Sequence, residues 1–221
     1  MAGIKQIIEG VTPQFTSDRW LLKHLDTYLN NTSSSHRANV FYPSSLGNTC
    51  DRFLYLAYQG KIPDQTITAQ TQRIFDNGNY LENRMDEYFT ALNLIIDREK
   101  VVTLDTPPMS GRVDFILKHA KYGEAALELK SINSRGFAAL TQGPKPEHLV
   151  QLQIYLNLLP MEHGVLLYEN KNDQKLKSFV VTQDISSWQS ILDRCYKIME
   201  LMEVPAKCTG NRWCRCKGVI E

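Results

Sequence analysis

Residues 110–132, SGRVDFILKHAKYGEAALELKSI, constrain the chain more than any other stretch, because two runs of alternating side chains flank a short polar turn. Residues 111–118 and 124–132 read as β-strands, and 119–123 as the turn of a hairpin. Side chains of an extended strand alternate between faces, so Arg112, Asp114 and Ile116 share one side while Val113, Phe115 and Leu117 share the other. The same period groups Ala126, Glu128 and Lys130 opposite Leu127, Leu129 and Ser131. Two carboxylates and an ammonium group are therefore expected to converge.

Neighbouring carboxylates repel unless a hard cation neutralises them, and oxygen donors of this kind suit Mg²⁺ or Mn²⁺. Asp114, Glu128 and the backbone carbonyl of Leu129 could hold such an ion. Lys130 would then orient an attacking water or offset charge growing on a phosphate. The plainer alternative is a solvated Glu128–Lys130 pair worth little. Other parts of the chain separate the two readings.

At 221 residues, 43% hydrophobic and 22% charged, the chain has the size and composition of one globular domain with elaborations. Its formal net charge of +1 excludes attraction to nucleic acid by bulk charge, so such a partner needs a local basic patch. Residues 1–15 lack the apolar run of a signal peptide, and no later run has the length of a membrane span. The expected location is the cytoplasm of a bacterial, archaeal or phage-infected cell, without membrane association. There, five cysteines are free thiols or metal ligands rather than disulfides.

Ser17 is placed to cap a helix whose apolar positions Leu21, Leu22, Leu25, Tyr28 and Leu29 would serve packing, and residues 30–39 read as a loop. Pro43-Ser44-Ser45 opens a helix with a Ser cap, carrying Cys50, Arg52, Leu54, Tyr55 and Tyr58 until Gly60 stops it. A helical pattern runs over 68–92, with Glu82 one turn after Gly78 on the same face; Glu82 is either a further metal ligand or a solvated glutamate. Residues 99–104 form a strand and 105–108 a turn into the hairpin. Residues 131–146 read as a Gly- and Pro-punctuated connection, whose Arg135 and Lys145 are solvated or touch a backbone phosphate.

The helix at 146–159 is apolar around most of its circumference, with a narrow polar stripe of His148, Gln151 and Tyr155. Polar groups on a buried helix must find partners, and a cleft or internal hydrogen bonds would supply them. Residues 164–170 and 176–182 read as a hairpin turning at Asn172-Asp173, and 185–204 as a last helix with Cys195 inside its apolar stripe. The tail at 205–221 gathers Cys208, Cys214 and Cys216 among Lys207, Arg212, Arg215 and Lys217, with Gly210 and Gly218 permitting sharp turns. Three such thiols suit a soft metal, and Cys50 is the candidate fourth ligand.

The ordered set Ser44-x5-Cys50-x-Arg52-x2-Tyr55, Gly78-x3-Glu82, Gly111-x2-Asp114, Glu128-x-Lys130, Gln151-x3-Tyr155 and the C-terminal cysteines resembles the PD-(D/E)XK nuclease superfamily. The likeness is to its RecB-like branch with a Cys-ligated iron–sulfur cluster, which includes CRISPR-associated and AddB-like exonucleases. The resemblance implies an α/β fold, a mixed central β-sheet flanked by helices in a restriction-endonuclease-like core. It implies one nuclease domain over 41–221, with 1–40 as an N-terminal helical extension. Asp114 and Glu128 would bind Mg²⁺ or Mn²⁺ with Glu82 and Leu129, Lys130 would be the catalytic lysine, and Gln151 and Tyr155 the accessory motif. Cys50, Cys208, Cys214 and Cys216 would hold a [4Fe–4S] cluster, with Zn²⁺ as the alternative. Two features depart from the family pattern: Glu82 stands where many relatives have His, and the tail spacing Cys208-x5-Cys214-x-Cys216 is unusual. The expected function is metal-dependent exonucleolytic hydrolysis of single-stranded DNA ends. The alternatives are a non-cutting or partner-dependent DNA-binding factor working with recombination or CRISPR adaptation proteins.

Overall fold

Five strands build one mixed sheet in the order β1 (Ile95–Leu104), β2 (Met109–His119), β3 (Gly123–Ile132), β4 (His163–Asn170) and β5 (Leu176–Thr182). The computed structural model describes residues 19–30, 37–62, 67–209 and 214–217. Ser17, Gly210, Arg212 and Gly218, to which cap, turn and charge roles were assigned above, lie outside them. Only the β3–β4 pairing is parallel. A parallel neighbour needs a crossover, and residues between Ile132 and His163 supply it with helix α6 (Pro146–Leu158).

The expected helix at 146–159 and the expected strands at 111–118, 124–132, 164–170 and 176–182 all form, with ends shifted by no more than two residues. The described helices flanking the sheet are α1 (Trp20–Leu29), α2 (Pro43–Leu46), α3 (Asp51–Tyr58), α4 (Ala69–Ala91), α5 (Ser134–Ala139), α6 and α7 (Ile185–Glu200). On one side Leu152, Tyr155 and Leu156 of α6 bury Ala126, Leu166 and Tyr168. In a second cluster Phe115, Leu117 and Leu127 pack against Phe89 of α4. Val113 joins Ile116 and Ala126 rather than Phe115 and Leu117, so the strict face alternation expected of β2 breaks beside Asp114. Gly164 lets β4 approach α6 closely, because a Cβ there would stand 2.9 Å from Leu152 Cδ1 and 3.0 Å from the Ala126 carbonyl oxygen.

Five expectations are corrected. The single helix expected from residue 43 to Gly60 is two: α2 starts with Pro43 at its first turn and has no side-chain cap, and Cys50 caps α3 by accepting the Phe53 amide on Sγ. Gly60, at φ +64, then closes α3 by donating to Ala57 O while Lys61 N donates to Leu56 O, a Schellman ending. The connection after β3 contains α5, capped by the Asn133 side chain on Gly136 N. β1 begins at Ile95 rather than residue 99; a register irregularity between Ile95 and Asp97 and a φ of +47 at Glu99 disturb the period-two pattern. α1 buries none of its residues: Leu21, Leu22 and Leu25 are about half exposed and Tyr28 more so, although the helix contacts α4. The last helix also stops at Glu200, four residues short of the expected end.

Candidate active site

Asp114 stands where the β2–β3 ladder gives out. The pairing runs from His119↔Gly123 to Phe115↔Leu127, and just beyond it Asp114 Oδ2 accepts the Leu129 amide at 2.7 Å. The carboxylate thus replaces a ladder carbonyl and is held by backbone, with little freedom to move. Glu128, on β3 and 2% exposed, faces it. Lys130 Nζ lies 2.5 Å from Glu128 Oε1, and Gln151 Nε2 of α6 donates to the same oxygen at 2.7 Å. Gln151 Nε2 also reaches Tyr155 Oη at 3.0 Å, so these two residues of the expected polar stripe join the strand carboxylates, whereas His148 bonds to Tyr168 instead.

Burial at this junction works against ionisation. It pushes Asp114 up to about 7, with the neighbouring Glu128 charge adding to the rise. Burial raises Glu128 too, against the pull of Lys130. Glu82 on α4 is raised by burial and then by Asp114, so the helix carboxylate lies within electrostatic reach of the strand pair. Burial, followed by Glu128, raises Tyr155 above the usual phenol range. Two half-buried carboxylates coupled to a fully buried third are a costly arrangement without a cation.

Glu128 Oε2 sharpens the point. It is sealed from solvent and has no hydrogen-bond partner among the described residues, whereas Oε1 has two. A buried carboxylate oxygen without a donor is rare in a folded protein unless an ion occupies its lone pairs. The donor set fits a hard divalent cation on that observation.

The structure brings the four predicted cysteines together as well. The Sγ atoms of Cys50, Cys208, Cys214 and Cys216 lie within 4.8 Å of one another, with Cys50–Cys216 and Cys208–Cys216 both at 3.6 Å. Burial raises the Cys50 and Cys214 thiols, which opposes thiolate formation unless a metal takes the charge. Cys195 is buried in the same region and outside the quartet, as its place in an apolar stripe predicts.

Chains of known structure share this arrangement of sheet and helices. The crystal structure of SSO0001 superposes with a TM-score of 0.56 at 18% identity, over 90% of this chain and 93% of that one. The alkaline exonuclease LHK-Exo from Laribacter hongkongensis gives 0.53 at 13%, over 80% of this chain and 90% of the other. LHK-Exo in complex with dAMP gives 0.53 at 14% identity, over 73% and 86%. The likeness is one of fold. No family model and no curated protein matches the sequence.

Three residues around these sites carry structural work that sequence reading left unassigned. Arg52, 3% exposed, donates through Nη1 to Pro205 O at 2.8 Å and through Nε to Cys216 O at 3.5 Å, tying α3 to the tail. Arg84 of α4 pairs with the buried Glu169 of β4. Tyr168, fully buried, sits beside Lys130 in the parallel register. An Arg two residues after a candidate metal ligand was a visible signal; the register that pairs Tyr168 with Lys130 was not.

Proposed function

We propose that this chain is a Mg²⁺- or Mn²⁺-dependent deoxyribonuclease of the PD-(D/E)XK type, RecB-like branch, acting exonucleolytically on single-stranded DNA ends. The observation that carries the reading is the buried Glu128, whose Oε2 has no partner among the described residues, electrostatically coupled to the half-buried Asp114 and Glu82. The fold shared with LHK-Exo, a protein described as an alkaline exonuclease, supports it.

Asp114, Glu128 and Glu82, with the Leu129 carbonyl, would hold the cation. A divalent ion there supplies Lewis-acid polarisation of a phosphodiester and a more acidic attacking water. The protein's own groups do the rest. Glu128 gives Oε1 to Lys130 and Gln151, leaving Oε2 as the oxygen that would face a cation, with the Lys130 ammonium held beside it. From there Lys130 orients the attacking water and offsets negative charge as the phosphorus becomes five-coordinate. Gln151 and Tyr155 hold the glutamate in one rotamer from behind. Attack in line with the leaving 3′-oxygen would leave a 5′-phosphate.

The cysteine quartet forms a second, structural centre. Four thiolates around one ion at about 2.3 Å stand about 3.8 Å apart. The 3.6 Å pairs match that edge and support Zn²⁺ over the [4Fe–4S] cluster implied by the resemblance, whose irons and sulfides lie between the thiolates and spread them wider. Measuring zinc against iron and acid-labile sulfide in anaerobically purified protein distinguishes the two.

The test of the activity is degradation of end-labelled single-stranded DNA with Mg²⁺, Mn²⁺ or chelator, by wild type and Asp114→Ala in parallel. Metal-dependent loss of label by the wild type alone is expected. Equal activity in both proteins overturns the site, and cleavage that requires an added partner shifts the reading to a partner-dependent end-processing factor.

A further inference from the structure

His148 lies on the polar stripe of α6, one turn before Gln151, yet takes no part in the carboxylate network. Its Nδ1 is 3.0 Å from the hydroxyl of Tyr168. That hydroxyl is buried, and its oxygen accepts the Lys145 amide at 3.2 Å. Among the described residues these are its two polar partners, so a satisfied Tyr168 sends its own proton to His148 Nδ1. The imidazole proton then belongs on Nε2. Nε2 has no partner among the described residues and is not one of the atoms sealed from solvent.

The surroundings keep the ring neutral: burial, then the ammonium groups of Lys130 and Lys145, push His148 down to about 3. A neutral ring whose tautomer is fixed by the Tyr168 hydroxyl is a preset hydrogen-bond donor.

Resting on the nuclease reading above, we infer that His148 is a phosphate-binding residue, its Nε2–H donating to a non-bridging oxygen of the DNA strand on the Lys130–Lys145 side of the site. Tyr168 is its positioning residue, setting the tautomer without touching substrate. The ligand chemistry is a phosphodiester, which accepts hydrogen bonds and carries no donor of its own.

The experiment is binding of a fluorescein-labelled oligothymidylate, read by anisotropy with Ca²⁺ in place of the activating ion, alongside cleavage kinetics in Mn²⁺. His148→Ala is expected to weaken binding by about tenfold to a hundredfold, the range for a hydrogen bond to a charged group. His148→Gln, whose amide nitrogen reaches the position of Nε2, should recover most of it. Because the donor is neutral, His148→Ala should leave the slope of log affinity against log salt unchanged, while Lys145→Ala lowers it by about 0.7. Tyr168→Phe should weaken binding less than His148→Ala. Wild-type affinity in a folded His148→Ala overturns the inference alone, as does a His148→Gln as weak as the alanine variant. A wild type that neither binds nor cleaves any oligonucleotide overturns the nuclease reading, and this inference with it.

Discussion

Asp114 is asked to be both buried and charged. In the folded chain it keeps its proton to about 7, because burial and then Glu128 disfavour the anion, whereas in the unfolded chain it ionises near about 4. The folded pKa is the higher, so the stability this group contributes is complete below about pH 4 and is lost as the pH rises to about 7. A cation that needs the deprotonated form reverses the loss. Thermal melts should show Mn²⁺ raising the Tm by several degrees at pH 8 and barely at pH 5; equal shifts at both values would place the ion elsewhere. Asp114→Asn, neutral and still able to accept the Leu129 amide, should stabilise the metal-free protein at pH 8 while abolishing both cleavage and the Mn²⁺ shift. Lys130→Ala should lower the cleavage rate about a thousandfold or more with the circular dichroism spectrum unchanged.

At the scale of elements, glycines report where space is used and where it is kept. A Cβ on Gly111 would stand 2.7 Å from Pro43 Cγ and 2.9 Å from Tyr155 Cε1, so β2 reaches α2 and α6 only because that side chain is missing. Gly111→Ala should cost about 1–3 kcal/mol and reduce cleavage further than this loss explains, because the displaced ring of Tyr155 braces Gln151 and hence Glu128. Gly78 is the opposite case. It lies mid-way along α4, one turn before Glu82, and a Cβ there would meet nothing within 4 Å. Gly78→Ala should therefore stabilise the protein by about 1 kcal/mol. A fall in DNA binding alongside that gain would mark the gap as a passage for the strand, and unchanged binding would mark it as ordinary surface. Elements of regular period were legible in the sequence: α4 and α6 by their 3.6-residue pattern, β2 to β5 by alternation. The expected approach of Asp114, Glu128 and Lys130 came from strand alternation, whereas Glu82 and Gln151 entered through the helical positions and the family resemblance. What escaped lies where the period is broken or overridden. A thiol cap at Cys50 is no usual N-cap residue, the β1 irregularity hides four residues of strand, and the apolar pattern of α1 says nothing of what covers it.

Over the whole molecule, the cysteine quartet joins positions that are far apart in the chain: Cys50 and Cys216 are separated by 166 residues. Arg52 adds two hydrogen bonds across the same seam, so α3 and the tail act as one unit only while both hold. A crosslink that closes a loop of this length restricts the unfolded chain strongly, by several kcal/mol in the chain-entropy picture. On the metal-centre reading proposed above, chelation should therefore lower the Tm by many degrees, since about 1 kcal/mol moves a domain of this size by roughly 2–4 °C. Cys195 provides the control, because it is as buried as Cys216 and belongs to the same core cluster without joining the quartet. Cys195→Ala should keep the full metal content and lose only packing, whereas Cys216→Ala should lose the metal, melt well below the Cys195→Ala protein and expose the tail to limited proteolysis. If the two variants retain equal metal and equal protease resistance, the quartet is four packed thiols, and α3 is held to the tail by apolar packing and the Arg52 hydrogen bonds.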